Sequence, residues 1–275
     1  MIIKTLVENT AKSSDYGSEH GLSLYIETDK HKILFDVGAS NLFSKNALKS
    51  EVDVSDVDYL VISHGHYDHG GGLNTFLNLN EKAEVFIHHL AFDKHYAMKN
   101  GNAVYIGLDR DLKTHRQIVL TSDRFFIGMG IQLFTNTVNK EPKPTTNEGL
   151  TVESDGGMKK DNFAHEQNLI IEENGKTLLI TGCAHNGIVN IVEQFHDFKG
   201  YMPDCVIGGF HLSGRTKGEE TYESADTIDR IGRYLIDTKT KYYTGHCTGM
   251  KPYNRLKSMM GGNIEYLSAG SELKI

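Results

Sequence analysis

At 275 residues, with 39% hydrophobic and 24% charged side chains, the chain can bury one full core and has an ordinary size for a single layered α/β domain. A formal charge of −7 argues against a nucleic-acid substrate, because a phosphodiester backbone calls for a basic face. No apolar run approaches the ~20 residues of a membrane span, no leader-like pattern opens the chain, and Cys183, Cys205 and Cys247 have no staple-like spacing. A cytoplasmic protein with reduced thiols is expected.

In chain order, residues 2 to 8 read as a strand, followed by a hairpin of 22 to 28 and 32 to 36 that turns at Asp29-Lys30. The apolar run Tyr59-Leu60-Val61-Ile62-Ser63 reads as a buried strand. A short helix is expected at 74 to 79, a strand at 83 to 88 and a helix at 90 to 99. Residues 139 to 163 break the pattern: they are polar, hold Pro142, Pro144, Gly149, Gly156 and Gly157, and show no apolar period. Such a stretch is either a lid over a site or a mobile surface insertion. Strands then fit 169 to 172, 177 to 181, 205 to 208 and 242 to 244, and helices fit 188 to 198 and 222 to 237. Mixed strands and helices without a regular βαβ repeat suit an α/β architecture of two packed sheets with helices outside.

The segment His64-Gly65-His66-Tyr67-Asp68-His69 places four metal-ligand side chains within six residues, directly after that buried strand. His64 and His66 are two apart and share one side of an extended segment, whereas Asp68 and His69 diverge toward a second ion. Imidazole and carboxylate together suit zinc, iron or manganese better than calcium. The alternative, solvated loop histidines, would be a costly coincidence beside a buried strand. Gly70-Gly71-Gly72 reads as close packing of the next helix, since no Lys-Ser/Thr follows to make a nucleotide loop.

This segment resembles the HxHxDH signature of the metallo-β-lactamase superfamily. The resemblance extends to Glu19-His20-Gly21-Leu22-Ser23, Phe35-Asp36-Val37-Gly38, Thr181-Gly182-Cys183-Ala184-His185-Asn186-Gly187, Gly209-Phe210-His211 and Thr244-Gly245-His246-Cys247-Thr248-Gly249. Together these look like the subgroup of metal-dependent hydrolases related to archaeal dihydropterin-ribofuranosylaminobenzene-phosphate synthases of methanopterin biosynthesis. The resemblance implies an αββα sandwich with two divalent metal ions, zinc first, with iron or manganese also compatible. Implied ligands are His64, His66, Asp68, His69 and His246, with His165 in Ala164-His165-Glu166 at the place of a third histidine. Cys183 falls where most members place a bridging aspartate, and His185 either replaces that ligand or competes with His165. We expect His185 to coordinate, with Cys183 as a buried neighbour. Asp36 would orient the metal loop. His211 is expected to contact substrate or a ligand, and His20 either approaches the site or belongs to a turn.

Among the basic groups, Arg215 and Lys217 after His211, and the pair Lys159-Lys160, are the ones placed to hold a small phosphate, with solvated surface as the alternative. His31, His95, His115 and His196 have no partner pattern and are expected on the surface, as are His88 and His89. Two cations can lower the pKa of a shared water and polarise a carbonyl or phosphoryl oxygen, with Asp68 as ligand and as orienter or proton acceptor for that water. Three classes follow: a hydrolase of a small anionic substrate (phosphoester, cyclic phosphodiester or lactone), a methanopterin-type synthase or transferase, and a metal-bound binding protein with little turnover.

Overall fold

The computed structural model describes residues 1–135, 138–154, 156–216 and 219–275, leaving aside the side chains of residues 215, 216 and 219. Two seven-stranded sheets dominate the described residues. The first runs, in spatial order, Glu272–Lys274, Ile2–Val7, Ser23–Glu27, Lys32–Phe35, Tyr59–Ile62, Glu84–His88 and Ile118–Thr121. The second runs Ile264–Tyr266, Lys241–Thr244, Cys205–Ile207, Lys176–Ile180, Gln167–Glu173, Ile131–Thr135 and Arg124–Gly128.

The period of two along each strand explains the layering. Ile33, Phe35, Val61 and Phe86 of the first sheet share one apolar cluster with Leu169, Ile171, Leu178 and Ile180 of the second, which is the core between the sheets. Their sequence neighbours point the other way. Leu34, Leu60, Ile62, Val85 and Ile87 pack with Phe43 and Ala47 of helix Leu42–Lys49 and Phe76 of helix Leu73–Leu79. Ile170, Leu179 and Val206 pack with helices Ile188–Lys199, Ala225–Asp237 and Met250–Met260. Strands covered on both faces read as continuous apolar runs, which is why they were legible. The expected αββα sandwich is the observed one. No helix among the described residues is long and apolar enough to cross a membrane.

Three expectations are corrected. Residues 90 to 99 hold a strand, Lys94–Lys99, rather than a helix. It turns back through Asn100 and Gly101, both at positive φ (53° and 82°), into Asn102–Tyr105. Asn-Gly is a strong hairpin signal, and here it outweighs the helical spacing before it. Residues 139 to 163 are not structureless: Leu150–Ser154 and Gly157–Lys160 form a hairpin whose first strand pairs with Lys94–Lys99. The result is a four-stranded sheet inserted beside the sandwich. The helix expected from 222 starts at Ala225, because the Ser224 hydroxyl accepts the Thr227 N–H at 3.1 Å and caps it.

The residues of the candidate centre, apart from His20 and His165, follow the C-terminal ends of parallel strands. Lys32–Phe35 runs parallel to Tyr59–Ile62, so Asp36 lies beside Ser63 and His64. Lys176–Ile180, Cys205–Ile207 and Lys241–Thr244 are likewise parallel neighbours, and the chain beyond them carries Cys183 and His185, His211, and His246. Chain segments far apart in sequence are thereby delivered to one edge of the sandwich.

Candidate metal centre

The HxHxDH segment leaves its strand extended and then turns into the short helix Tyr67–Gly70, with His66 at the cap. The turn is close-packed. A Cβ at Gly71 would lie 2.4 Å from the Ala39 carbonyl oxygen, and one at Gly72 would lie 2.4 Å from that of Val37. This is the close approach expected of the glycine run.

Among the described residues four buried groups bring candidate ligand atoms within 4.8 Å of one another: Asp68, His69, Cys183 and His246; His64, Cys183 and His185; His66, His95, Asp161 and His165; and Cys183, His211 and Cys247. In the first, His69 Nε2 lies 3.1 Å from Cys183 Sγ and 3.2 Å from His246 Nε2, and Asp68 Oδ2 lies 3.3 Å from His246 Nε2. In the second, the His185 ring is 4.9 Å from that of His64 and 4.9 Å from that of His66. His64 Nε2 approaches His66 Nδ1 at 3.1 Å. Cys183 belongs to the first two of these groups and to the fourth; the first two form a pair suited to two ions.

Hydrogen bonds on the far side of the rings decide which nitrogen faces inward. His69 Nδ1 donates to Asp36 Oδ2 at 2.6 Å, and His185 Nδ1 donates to Asn147 Oδ1 at 2.8 Å. His246 Nδ1 donates to Asn9 Oδ1 at 2.9 Å, and His64 Nδ1 donates to Ser63 Oγ at 2.9 Å. All four thus aim Nε2 at the cluster. The buried Nε2 atoms of His66 and His185 have no hydrogen-bond partner. Buried polar atoms are rarely left unpaired, so two buried ring nitrogens without partners beside other imidazoles and a carboxylate have the chemistry of a cation site. The residues fit the metals that the sequence implies.

Electrostatics agree with that reading. Burial, with the neighbouring imidazoles, holds His64, His66 and His185 well below the usual histidine range, in the neutral form that ligates. Burial works against charge on Asp68, but His69, His246 and His20 reverse it and hold the carboxyl well below its usual value. Burial also opposes charge on His69, yet Asp36 and Asp68 outweigh it and lift His69 to about 9.

His165 is placed differently. Its Nδ1 accepts the Gly65 N–H at 3.0 Å, so its Nε2 carries the proton and donates to Asp161 Oδ2 at 3.2 Å. His95 Nδ1 donates to the same oxygen at 2.9 Å. Both ring nitrogens of His165 are therefore engaged, and it ties the metal loop to the inserted sheet. His95 and His88, expected on the surface, are each 1% exposed. We expect Asp161→Ala to destabilise the fold by ~3 kcal/mol, because two buried imidazoles lose their acceptor. An unchanged urea midpoint would contradict that.

His211 is buried beside His185, with ring centroids 4.1 Å apart and neither nitrogen partnered. His20 is exposed at the mouth, 3.3 Å from Asp68 Oδ2. Arg215 lies on strand Ser213–Thr216, but its side chain and all of Lys217 lie outside the described residues. Lys159 and Lys160 are exposed on the inserted hairpin. Sequence reasoning missed Glu8, Asn9, Asn147, Asp161 and Glu166. Glu166 is fully buried and accepts the N–H groups of His185 at 2.6 Å and Asn186 at 2.9 Å, while Glu8 accepts that of His246 at 2.6 Å. These carboxylates hold the loops in which Ala184 and His246 take positive φ of 57° and 51°, and Asp36 and His211 also take positive φ, at 60° and 49°. Strain of that kind persists only where surrounding contacts over-determine it, and it collects at functional sites. None of these acids belongs to a local pattern, apart from Glu166 beside His165.

The chain is similar over its whole length to proteins from Methanocaldococcus jannaschii. It is 32% identical to the uncharacterized protein MJ0448, with 100% of both chains covered. It is 30% identical to 7,8-dihydropterin-6-methyl-4-(beta-D-ribofuranosyl)-aminobenzene-5'-phosphate synthase, with 99% of this chain and 96% of that one covered. The solved structure of Tm1679, a metal-dependent hydrolase of the beta-lactamase superfamily, superimposes with a TM-score of 0.84 at 30% identity, covering 100% of this chain and 99% of that one. The family model for the metallo-beta-lactamase superfamily matches residues 16–197. From its fold, its motif and these likenesses, the chain belongs to the metallo-beta-lactamase superfamily.

Proposed function

We propose that this protein is a metal-dependent hydrolase that uses water against a small anionic substrate, a phosphoester, cyclic phosphodiester or lactone. The observation that carries this reading is the pair of adjacent buried ligand groups sharing Cys183. The likeness to Tm1679, described as a metal-dependent hydrolase, supports it.

In this reading His64, His66 and His185 would hold one divalent ion, and Asp68, His69 and His246 the other, and Cys183, expected from the sequence as a buried neighbour, would instead supply a donor, since it lies within reach of both groups. Zinc suits such nitrogen, oxygen and sulfur donors; iron and manganese are alternatives. When bound, the ions lower the pKa of water and polarise the oxygen under attack. The chain's own residues do the rest. Asp36 fixes the tautomer of His69, and Asn147 fixes that of His185. Asp68, kept ionised, accepts a proton or orients water. His211, with one ring nitrogen beside the Cys183 and Cys247 sulfurs, offers the other to a substrate oxygen, and His20 stands exposed beside Asp68. His165 braces the metal loop from outside the ligand set.

The full-length likeness to the archaeal synthase favours a second reading, a condensation at the same centre. One experiment addresses both. Protein stripped with a chelator and reloaded with zinc or manganese is assayed against phosphomonoester, phosphodiester, cyclic-nucleotide and lactone substrates. Turnover that requires metal and falls by roughly a hundredfold or more in His185→Ala is the expected result. Turnover only with two co-substrates would favour the synthase. No turnover with both ions bound would leave a binding protein.

A further inference from the structure

Cys183 and Cys247 meet at the floor of this centre. Their sulfurs, with a ring nitrogen of His211, lie within 4.8 Å of one another, and all three side chains are buried. The Cys247 thiol also donates to the Cys183 carbonyl oxygen at 3.4 Å. The approach depends on Gly209, whose N–H donates to the Gly182 carbonyl oxygen at 2.8 Å. A Cβ at Gly209 would stand 2.4 Å from Cys247 Sγ and 3.6 Å from Cys183 Cα. Only a glycine leaves that space for the thiol.

The same Cys183 sulfur lies 3.1 Å from His69 Nε2, inside the group containing Asp68 and His246. It therefore has two competing partners, one on the metal side and one on the thiol side. Cys205 is remote from this arrangement, on a strand whose cysteine packs in the apolar cluster between the sheets.

We propose that Cys183 and Cys247 are a dithiol that a hydroperoxide closes to a disulfide, withdrawing the Cys183 sulfur from the metal centre. This rests on the reading above that Cys183 supplies a donor to the ions. In the first step the Cys247 sulfur attacks the O–O bond of the hydroperoxide, giving a sulfenic acid and releasing an alcohol, or water when the oxidant is hydrogen peroxide. The Cys183 sulfur then attacks the Cys247 sulfur and water leaves. The two sulfurs lose one electron each and the peroxide bond gains both; the Cys247 proton ends in the released alcohol, and the hydroxide expelled in the second step leaves as water with a proton from solvent, because Cys183 has already given up its own to serve as a donor. Cys183 and Cys247 are 3% and 6% exposed, so the proposed oxidant is a small one. Once both sulfurs share a bond, the thiolate donor is gone and the adjoining ion loses a ligand.

The test uses the full-length, metal-loaded protein treated with hydrogen peroxide, desalted and then examined by thiol count, peptide mapping and elemental analysis. Expected are a fall from three free thiols to one, a cross-linked peptide joining residues 183 and 247, and a roughly twofold fall in metal content that a thiol reductant and fresh metal reverse. Cys247→Ser should keep its metal under the same treatment, and Cys205→Ser should behave like wild type. Retention of three free thiols, a cross-link that leaves metal content unchanged, or equal metal loss in Cys247→Ser would each overturn the proposal. If Cys247→Ser does not fold, as judged by circular dichroism, the map of the wild-type protein decides alone. Fewer than two ions before treatment would count against the two-ion reading, and the cross-link would then decide the dithiol by itself.

Discussion

Asp36→Ala is expected to destabilise the protein by ~4 kcal/mol and to lose most of its bound metal. The carboxylate is fully buried and accepts three donors: the Ser63 N–H at 2.7 Å, the Ser63 hydroxyl at 2.7 Å and His69 Nδ1 at 2.6 Å. Each orphaned donor costs about 1–3 kcal/mol once its acceptor is gone. Losing the Asp36 contact also frees the His69 ring to turn, and the Ser63 hydroxyl that accepts His64 Nδ1 loses its own anchor. One side chain thus governs a ligand in each group. Asp36→Asn should be milder for folding but still impair metal retention, because an amide cannot accept on both of its polar atoms. Urea unfolding and elemental analysis read the two effects, and a wild-type midpoint together with full metal content in Asp36→Ala would refute the argument.

Filling the centre near pH ~7 should release two protons, both from the side holding Asp68. His69, lifted to about 9, is protonated in the metal-free protein and must give up that proton to coordinate. Burial pushes the Cys183 thiol well above its usual range, so a sulfur ligand releases a second. His64, His66 and His185 are held low and release none. Affinity at the Asp68 side should therefore weaken about tenfold per pH unit for each proton as pH falls. The metal-free fold responds in the opposite sense. A histidine raised above its unfolded value of 6.5 contributes stability fully below that value and loses it as pH rises through about 9. Titration calorimetry in buffers of different ionisation enthalpy counts the protons. One proton would leave Cys183 as an uncoordinated neighbour, and none would remove His69 from the ligand set.

His64, His66, Asp68 and His69 could be singled out because their spacing is local, lying on one strand end and the turn after it. The sandwich was legible for a similar reason: strands covered on both faces must be apolar throughout, and that shows in a short window of sequence. The inserted sheet was not, because two of its strands are exposed throughout and the strand Lys94–Lys99 lies in a segment whose spacing reads as a helix. Asn100-Gly101 was the one local signal that could have found its first hairpin.

The choice between His165 and His185 lay beyond any local pattern. Both follow the motif at distances that a family likeness allows, and both are buried histidines. In the structure the ring partners differ, Asn147 binding His185 Nδ1 while Gly65 and Asp161 meet the two nitrogens of His165, and each histidine lies in a buried candidate ligand group of its own, so taking His185 as the ligand belongs to the proposed reading. Residue types and spacing thus determined by themselves that this chain is a layered α/β protein with a metal-type motif. Only the tertiary structure decided which lone pairs converge, because the direction of an imidazole is set by hydrogen bonds from segments distant in sequence.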